Sequence, residues 1–252
     1  MPDTWSLGII VTVAIAVFLY GFSKTAMPAA GVLAGAVLAA ALTPLPASGF
    51  VVPLLVFGDL FGLALYRQHA NWRLIRRLVP GVLAGFVIVA ILFRVLDTIA
   101  LARVIGGLIL VSVVLEIWRL RRGVQLDGDG GGHGSRLAAG FFGTLAGMTT
   151  MGANAGGAAM TLYLVHMRVP TLAFMGTSTW FFFILNVSKI PFVVSLGALT
   201  WESLLLNLWF APLVVIGALL GARAFRRMSP AFFVYTALAL SGLAACWLVI
   251  RG

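Results

Sequence analysis

The chain alternates between long apolar stretches and short polar ones. The apolar stretches fall at about 6–22, 26–42, 47–66, 72–95 and 98–118. After a polar interval they resume at 137–149, 152–165, 172–195, 201–225 and 230–250. An α-helix rises about 1.5 Å per residue, so crossing a hydrocarbon layer of about 30 Å takes about 20 residues. The third, fourth and fifth stretch of each set meet that length. The first two are shorter, and in the second set they hold only 13 and 14 residues, a reach of about 20 Å. They are predicted to be half-helices meeting inside the membrane as a broken or re-entrant hairpin. The predicted fold is an all-α polytopic membrane protein.

The two sets also resemble each other. Gly21, Phe22, Ser23, Lys24 and Thr25 lie 126 residues before Gly147, Met148, Thr149, Thr150 and Met151. Asp59 lies 127 before Asn186, and Trp72 lies 129 before Trp201. Pro80, Gly85, Phe93, Arg94 and Arg119 each lie 132 before Pro212, Gly217, Phe225, Arg226 and Arg251. This ordered series predicts an internal duplication: a first repeat over 1–119, a glycine-rich linker over 120–135 and a second repeat over 136–252.

Charge orients the two repeats. The 67–77 connection carries Arg67, Arg73, Arg76 and Arg77 without an acid, and is predicted to be cytoplasmic. Its counterpart near 196–203 carries only Glu202 and is predicted outside. The linker and the turn with Arg223, Arg226 and Arg227 read as inside; the turn with Arg94, Asp97 and Arg103 reads more weakly as outside. Equivalent loops then lie on opposite sides, with both termini outside the cytoplasm. That is an inverted-topology repeat, an architecture common among secondary transporters.

Composition removes other classes. Charged residues are 10% of the chain and hydrophobic residues 62%, against roughly 25% charged in soluble domains. A net charge of +10 could suit nucleic acid, but the arginines sit between apolar runs, as topogenic charges do. The partners expected are therefore the lipid bilayer and a small anion rather than nucleic acid, with a homodimer left open. Cys246 is the only cysteine and allows no cysteine-based metal cluster. No basic region precedes the first apolar run, so no cleaved signal peptide is expected. No phosphate-binding G-x-x-x-x-G-K-[ST] loop occurs, and no cofactor is expected. Asp127, Asp129 and His133 lie among the linker glycines without EF-hand spacing, which reads as a flexible connector. The tryptophans lie mostly near segment ends, as an interfacial belt predicts.

Polar residues within apolar segments are few and therefore informative. Fifteen of the 17 basic residues are arginines, nearly all at segment ends; the two lysines, Lys24 and Lys189, lie deep. Lys24 sits at the break between the first two segments, next to Pro28, where a half-helix terminus offers free backbone N–H groups. With Thr25, and with Thr149, Thr150 and Asn154 from the equivalent break, it forms a candidate pocket for a small anion. The alternative is that Lys24 snorkels from a fully spanning hairpin. Asp59 and Asn186 occupy equivalent positions, and Lys189 shares a helical face with Asn186. A buried carboxylate there should pair with a lysine or carry a proton. Ser48, Thr177 and Ser178 open the third segments, where they either donate to an oxyanion or bond their own backbone. Glu116 is expected to pair with Arg119, while His69 and His166 read as interfacial.

The motifs Gly21-Phe-Ser-Lys-Thr-Ala-Met-Pro-Ala-Ala-Gly31, Pro46-Ala-Ser-Gly49 through Pro53 to Gly58-Asp59, and His69-Ala-Asn-Trp72 resemble the TauE/SafE sulfite exporter family of bacterial permeases. The resemblance covers essentially the whole chain. It implies a multi-pass protein of the bacterial inner membrane that moves sulfite, sulfoacetate or a related sulfur-containing anion. The expected function is export of such an anion by alternating access, driven by membrane potential. A proton-coupled importer using Asp59 is the alternative. A channel, a structural scaffold and an intramembrane serine protease fit less well; for the protease, Ser48 and Ser178 have no histidine at their depth.

Overall fold

The computed structural model describes residues 6–39, 42, 44–95, 98–121, 136–153, 156–195 and 197–251. Ten α-helices run through them: α1 (Leu7–Thr25), α2 (Ala30–Ala39), α3 (Pro44–Tyr66), α4 (Trp72–Val95), α5 (Thr98–Arg121), α6 (Arg136–Ala153), α7 (Gly156–His166), α8 (Thr171–Ser195), α9 (Trp201–Phe225) and α10 (Pro230–Arg251). No strand occurs among the described residues. Helices are what the bilayer permits, because each backbone polar group must find its partner within the segment. Proline opens α3 and α10, where the missing N–H costs nothing. A reciprocal Thr200–Ser203 capping box opens α9. Five helices among the described residues are long and apolar enough to cross a membrane, namely α1, α8, α9 and the larger parts of α3 and α10.

The hairpins differ in proportion from the expectation of paired half-helices. α2 and α7 are short, at 10 and 11 residues, but α1 has 19 and α6 has 18, or about 27–28 Å for each long arm. The long arm of the second hairpin continues past Thr149 because that hydroxyl bonds the Leu145 carbonyl of its own helix at 2.8 Å. A hydroxyl satisfied in this way does not interrupt a helix. The first hairpin turns at Ala26–Ala29. There the Ala26 N–H closes α1 onto Phe22, and the N–H groups of Ala30, Gly31 and Val32 reach back only three residues.

Glycines set the tightest crossings. A side chain at Gly21 of α1 would strike the backbone of Val214 in α9, and one at Gly217 of α9 would strike Phe18. Between α6 and α4, Gly147 meets Val82 and Gly85 meets Thr144 in the same way. The residues of the second set lie at offsets of 126 and 132 from those of the first. Across the centre, α3 and α8 run antiparallel: Gly49 lies against Ala198, Asp59 bonds Asn186, Gly62 lies against Thr179, and Gly176 lies against Tyr66.

Aromatic stacking gathers one end of the bundle. Tyr66 meets Phe225 at 5.3 Å, Phe225 meets Phe233 at 5.7 Å, and Phe233 meets Phe174 at 5.0 Å. The ends of α3 and α9 and the starts of α8 and α10 are therefore together. Arg67, Arg73, Arg76, Arg77, Arg168, Arg223, Arg226 and Arg227 all belong to this end. At the same end His166 Nδ1 lies 3.3 Å from Glu116 Oε2. Glu116 thus has a histidine from α7 beside it, a contact not anticipated from its spacing to Arg119, whose side chain lies outside the described residues.

Candidate functional site

Lys24 occupies the last turn of α1, and its stem lies against Gly58 of α3, where a side chain would crowd it. Its Nζ forms an ion pair with Asp59 Oδ1 at 2.7 Å. The other carboxylate oxygen, Oδ2, accepts a hydrogen bond from the Asn186 amide at 2.7 Å. Asp59 is fully buried, while the Lys24 side chain keeps 10% of its surface exposed. The carboxylate is thus held by both halves at once, and the ammonium still reaches open space. Phe182, one turn before Asn186, lies under the same ammonium at 5.4 Å from the ring centre.

The opening beside Lys24 is a small, half-open cavity lined by Tyr20, Ser23, Lys24, Pro28, Gly31, Leu55, Thr150, Gly156, Gly157, Phe182, Asn186 and Lys189. Both hairpins and both α3 and α8 contribute to it. Lys189 reaches it from α8 and donates to the Thr150 carbonyl at 3.0 Å. Two lysines from opposite halves therefore border one space, with one carboxylate beside Lys24 among the described residues.

The anticipated residues divide between this space and its surroundings. Lys24, Thr150, Asn186 and Lys189 line the cavity, and Asp59 stands directly behind Lys24. Thr25 does not: its hydroxyl donates to the Ala218 carbonyl at 2.6 Å, and its carbonyl accepts from the Tyr66 hydroxyl at 2.9 Å. It fastens α1 to α9 and α3. Thr149 spends its hydroxyl within α6. The Thr177 hydroxyl accepts from the Asn71 N–H at 2.9 Å, holding the start of α8 to the start of α4. Ser178 is buried and is not part of the cavity wall. Asn154, the side chain of Ser48, and linker residues Asp127, Asp129 and His133 lie outside the described residues.

A sulfite exporter TauE/SafE family model matches residues 13–248. The chain belongs to the TauE/SafE family. No curated protein and no solved structure matches it. The family is one of membrane transporters for sulfite and related anions, and the buried lysines of this TauE/SafE protein fall within the matched span.

Sequence reasoning missed several cavity residues of this TauE/SafE protein. Tyr20 and Ser23 precede Lys24 by four and one positions, and Phe182 precedes Asn186 by four. The four-residue spacing puts Tyr20 and Phe182 on the face of the polar residue they precede. That spacing was the available signal, but tyrosine and phenylalanine in an apolar run look like ordinary core. Gly156 and Gly157 serve as space rather than as ligands: a side chain at Gly156 would meet the Thr150 hydroxyl, and one at Gly157 the Pro28 backbone.

Proposed function

We propose that the chain is a secondary transporter exporting a small sulfur-containing oxyanion, such as sulfite or sulfoacetate, by alternating access. The observation that carries this reading is the cavity bordered by Lys24 and Lys189 between the two hairpins. A site with two ammonium groups and one carboxylate has excess positive charge available to an anion. Moving one negative charge outward gains about 2.3 kcal/mol per 100 mV of inside-negative potential. Export therefore requires no nucleotide.

The motion is rocking of two inverted repeats, 1–119 and 136–252, about the cavity. Supporting this are the antiparallel run of α3 and α8, which are equivalent in sequence, and the recurrence of the Gly21–Val214 and Gly217–Phe18 contacts as Gly147–Val82 and Gly85–Thr144. The arginine-rich end is the cytoplasmic one, which puts both termini on the outer face of the bacterial inner membrane.

The second reading is a proton-coupled importer, favoured by the buried position of Asp59 against a cavity lysine. Flux of sulfite, sulfate, thiosulfate, sulfoacetate, taurine and acetate in proteoliposomes, under potentials of either sign and under a proton gradient, separates the two. The exporter predicts flux of a sulfur anion that follows the potential. Flux seen only with a proton gradient assigns the chain to the importer, and no flux of any anion refutes both.

A further inference from the structure

Hydroxyl groups lie in and around the cavity, and three of them have already given their hydrogen away. Ser23 donates to the Tyr20 carbonyl at 2.7 Å, Thr25 to Ala218, and Thr149 to Leu145. Elsewhere in the bundle the pattern is the same: Thr12, Ser112, Thr179, Ser188 and Ser241 each bond the carbonyl four residues back. A helical threonine normally does this. Thr150 does not. Its hydroxyl is buried and has no hydrogen-bond partner among the described residues, although it sits in the last turn of α6 with a carbonyl four residues back. Tyr20 is in the same position: the side chain is 3% exposed and its hydroxyl has no partner among the described residues. Both residues line the cavity, Tyr20 from the first hairpin and Thr150 from the second. Thr161, Tyr163 and Ser178 also have unbonded hydroxyls, but none of the three is in the cavity wall.

We infer that the hydroxyls of Tyr20 and Thr150 are hydrogen-bond donors to the transported anion, one from each half, and that they set its affinity alongside the charge of the two lysines. This rests on the anion-site reading above and adds to it residues that supply no charge. A buried hydroxyl without a partner is destabilising, and at Tyr20 and Thr150 an anion in the cavity would complete it. Phenylalanine at 20 would fill the same volume without that penalty, and valine at 150 would match threonine in shape. The glycine at 156 belongs to the same device. It leaves unfilled the space into which the Thr150 hydroxyl projects, and where a side chain would meet that hydroxyl and the Phe182 ring. An oxyanion has several acceptor oxygens spread around its central atom, so hydroxyls from the two hairpins and two ammonium groups can be used together.

The test uses the full-length protein with Tyr20→Phe, Thr150→Val and Lys24→Gln, read by sulfite flux in proteoliposomes and by the shift in melting temperature that sulfite produces in detergent. Tyr20→Phe and Thr150→Val should each raise the half-saturating sulfite concentration about tenfold, as loss of one good hydrogen bond does. Their ligand-free melting temperatures should equal or exceed the wild type's, and the sulfite-induced shift should shrink. Wild-type half-saturation in both variants overturns the inference while leaving the anion site intact. If the wild type itself neither binds nor moves sulfite or any other oxyanion, the underlying reading fails and the inference falls with it. Lys24→Gln distinguishes the cases, because it should lose binding wherever the cavity is the site. A lower ligand-free melting temperature in both hydroxyl variants would mean that the groups serve the fold, and would also overturn the inference.

Discussion

Removing Lys24 should damage the protein more than removing Lys24 and Asp59 together. The Lys24–Asp59 pair is 2.7 Å long, with the aspartate fully buried. Replacing Lys24 with methionine leaves a carboxylate in an apolar bundle with only the Asn186 amide as partner, and breaking a buried pair from one side costs about 3–5 kcal/mol. Asp59→Asn is milder. Its amide can still meet Asn186, and Lys24 can turn toward the cavity, so about 1–3 kcal/mol is expected. The double variant removes both charges and should be more stable than Lys24→Met alone, giving a coupling of at least about 2 kcal/mol. Unfolding in mixed micelles by added SDS, followed through tryptophan fluorescence, measures all four proteins. The same cycle on Lys189 and Asp59 should give a smaller coupling, because Lys189 donates to the Thr150 carbonyl. Two results would refute the reasoning: Lys24 and Asp59 effects that add to within about 0.5 kcal/mol, or a Lys189 coupling larger than that of Lys24.

Gly21→Leu and Gly147→Leu should each destabilise by about 1–3 kcal/mol or more, because each drives a side chain into a facing backbone. Gly107→Ala, where nothing lies within 4 Å of the added carbon, should be tolerated in the same melting assay. Thr25→Val should cost about 1 kcal/mol of stability through loss of the bond to Ala218, with no change in half-saturating anion concentration. In a Cys246→Ser background, cysteines at 199 and 70 should react with an impermeant thiol reagent from opposite sides. Labelling of both from one side would remove the inverted arrangement.

The deep polar residues were legible because the bilayer makes polarity conspicuous. Lys24, Asp59, Asn186 and Lys189 stand out in apolar runs, and the expectation that Asp59 pairs with a lysine is met by Lys24; that Asn186 bonds the same carboxylate was not legible. Hydroxyl partners were not legible in the same way. Thr25, Thr149 and Thr177 look alike in sequence, yet one bonds across to α9, one within its own helix and one to Asn71, the residue before α4. Which carbonyl or N–H lies nearest depends on how the helices cross. The same geometry decides which lysine meets Asp59. Hairpin lengths were misjudged because a polar threonine pair resembles a break, whereas Thr149 closes onto Leu145 and α6 continues. Tyr20 was hidden by its surroundings, since a tyrosine in an apolar run declares nothing until its hydroxyl is found without a partner.

The central claim is that the space beside Lys24 is where the anion is held. Neighbouring residues provide the control, because Lys24 lines the cavity and Thr25 does not. Sulfite flux should be measured under an imposed potential in proteoliposomes containing equal amounts of wild type, Lys24→Gln and Thr25→Val. The account predicts that Lys24→Gln abolishes potential-driven flux while Thr25→Val retains the wild-type half-saturation. Wild-type flux in Lys24→Gln would contradict it and move the site elsewhere in the bundle.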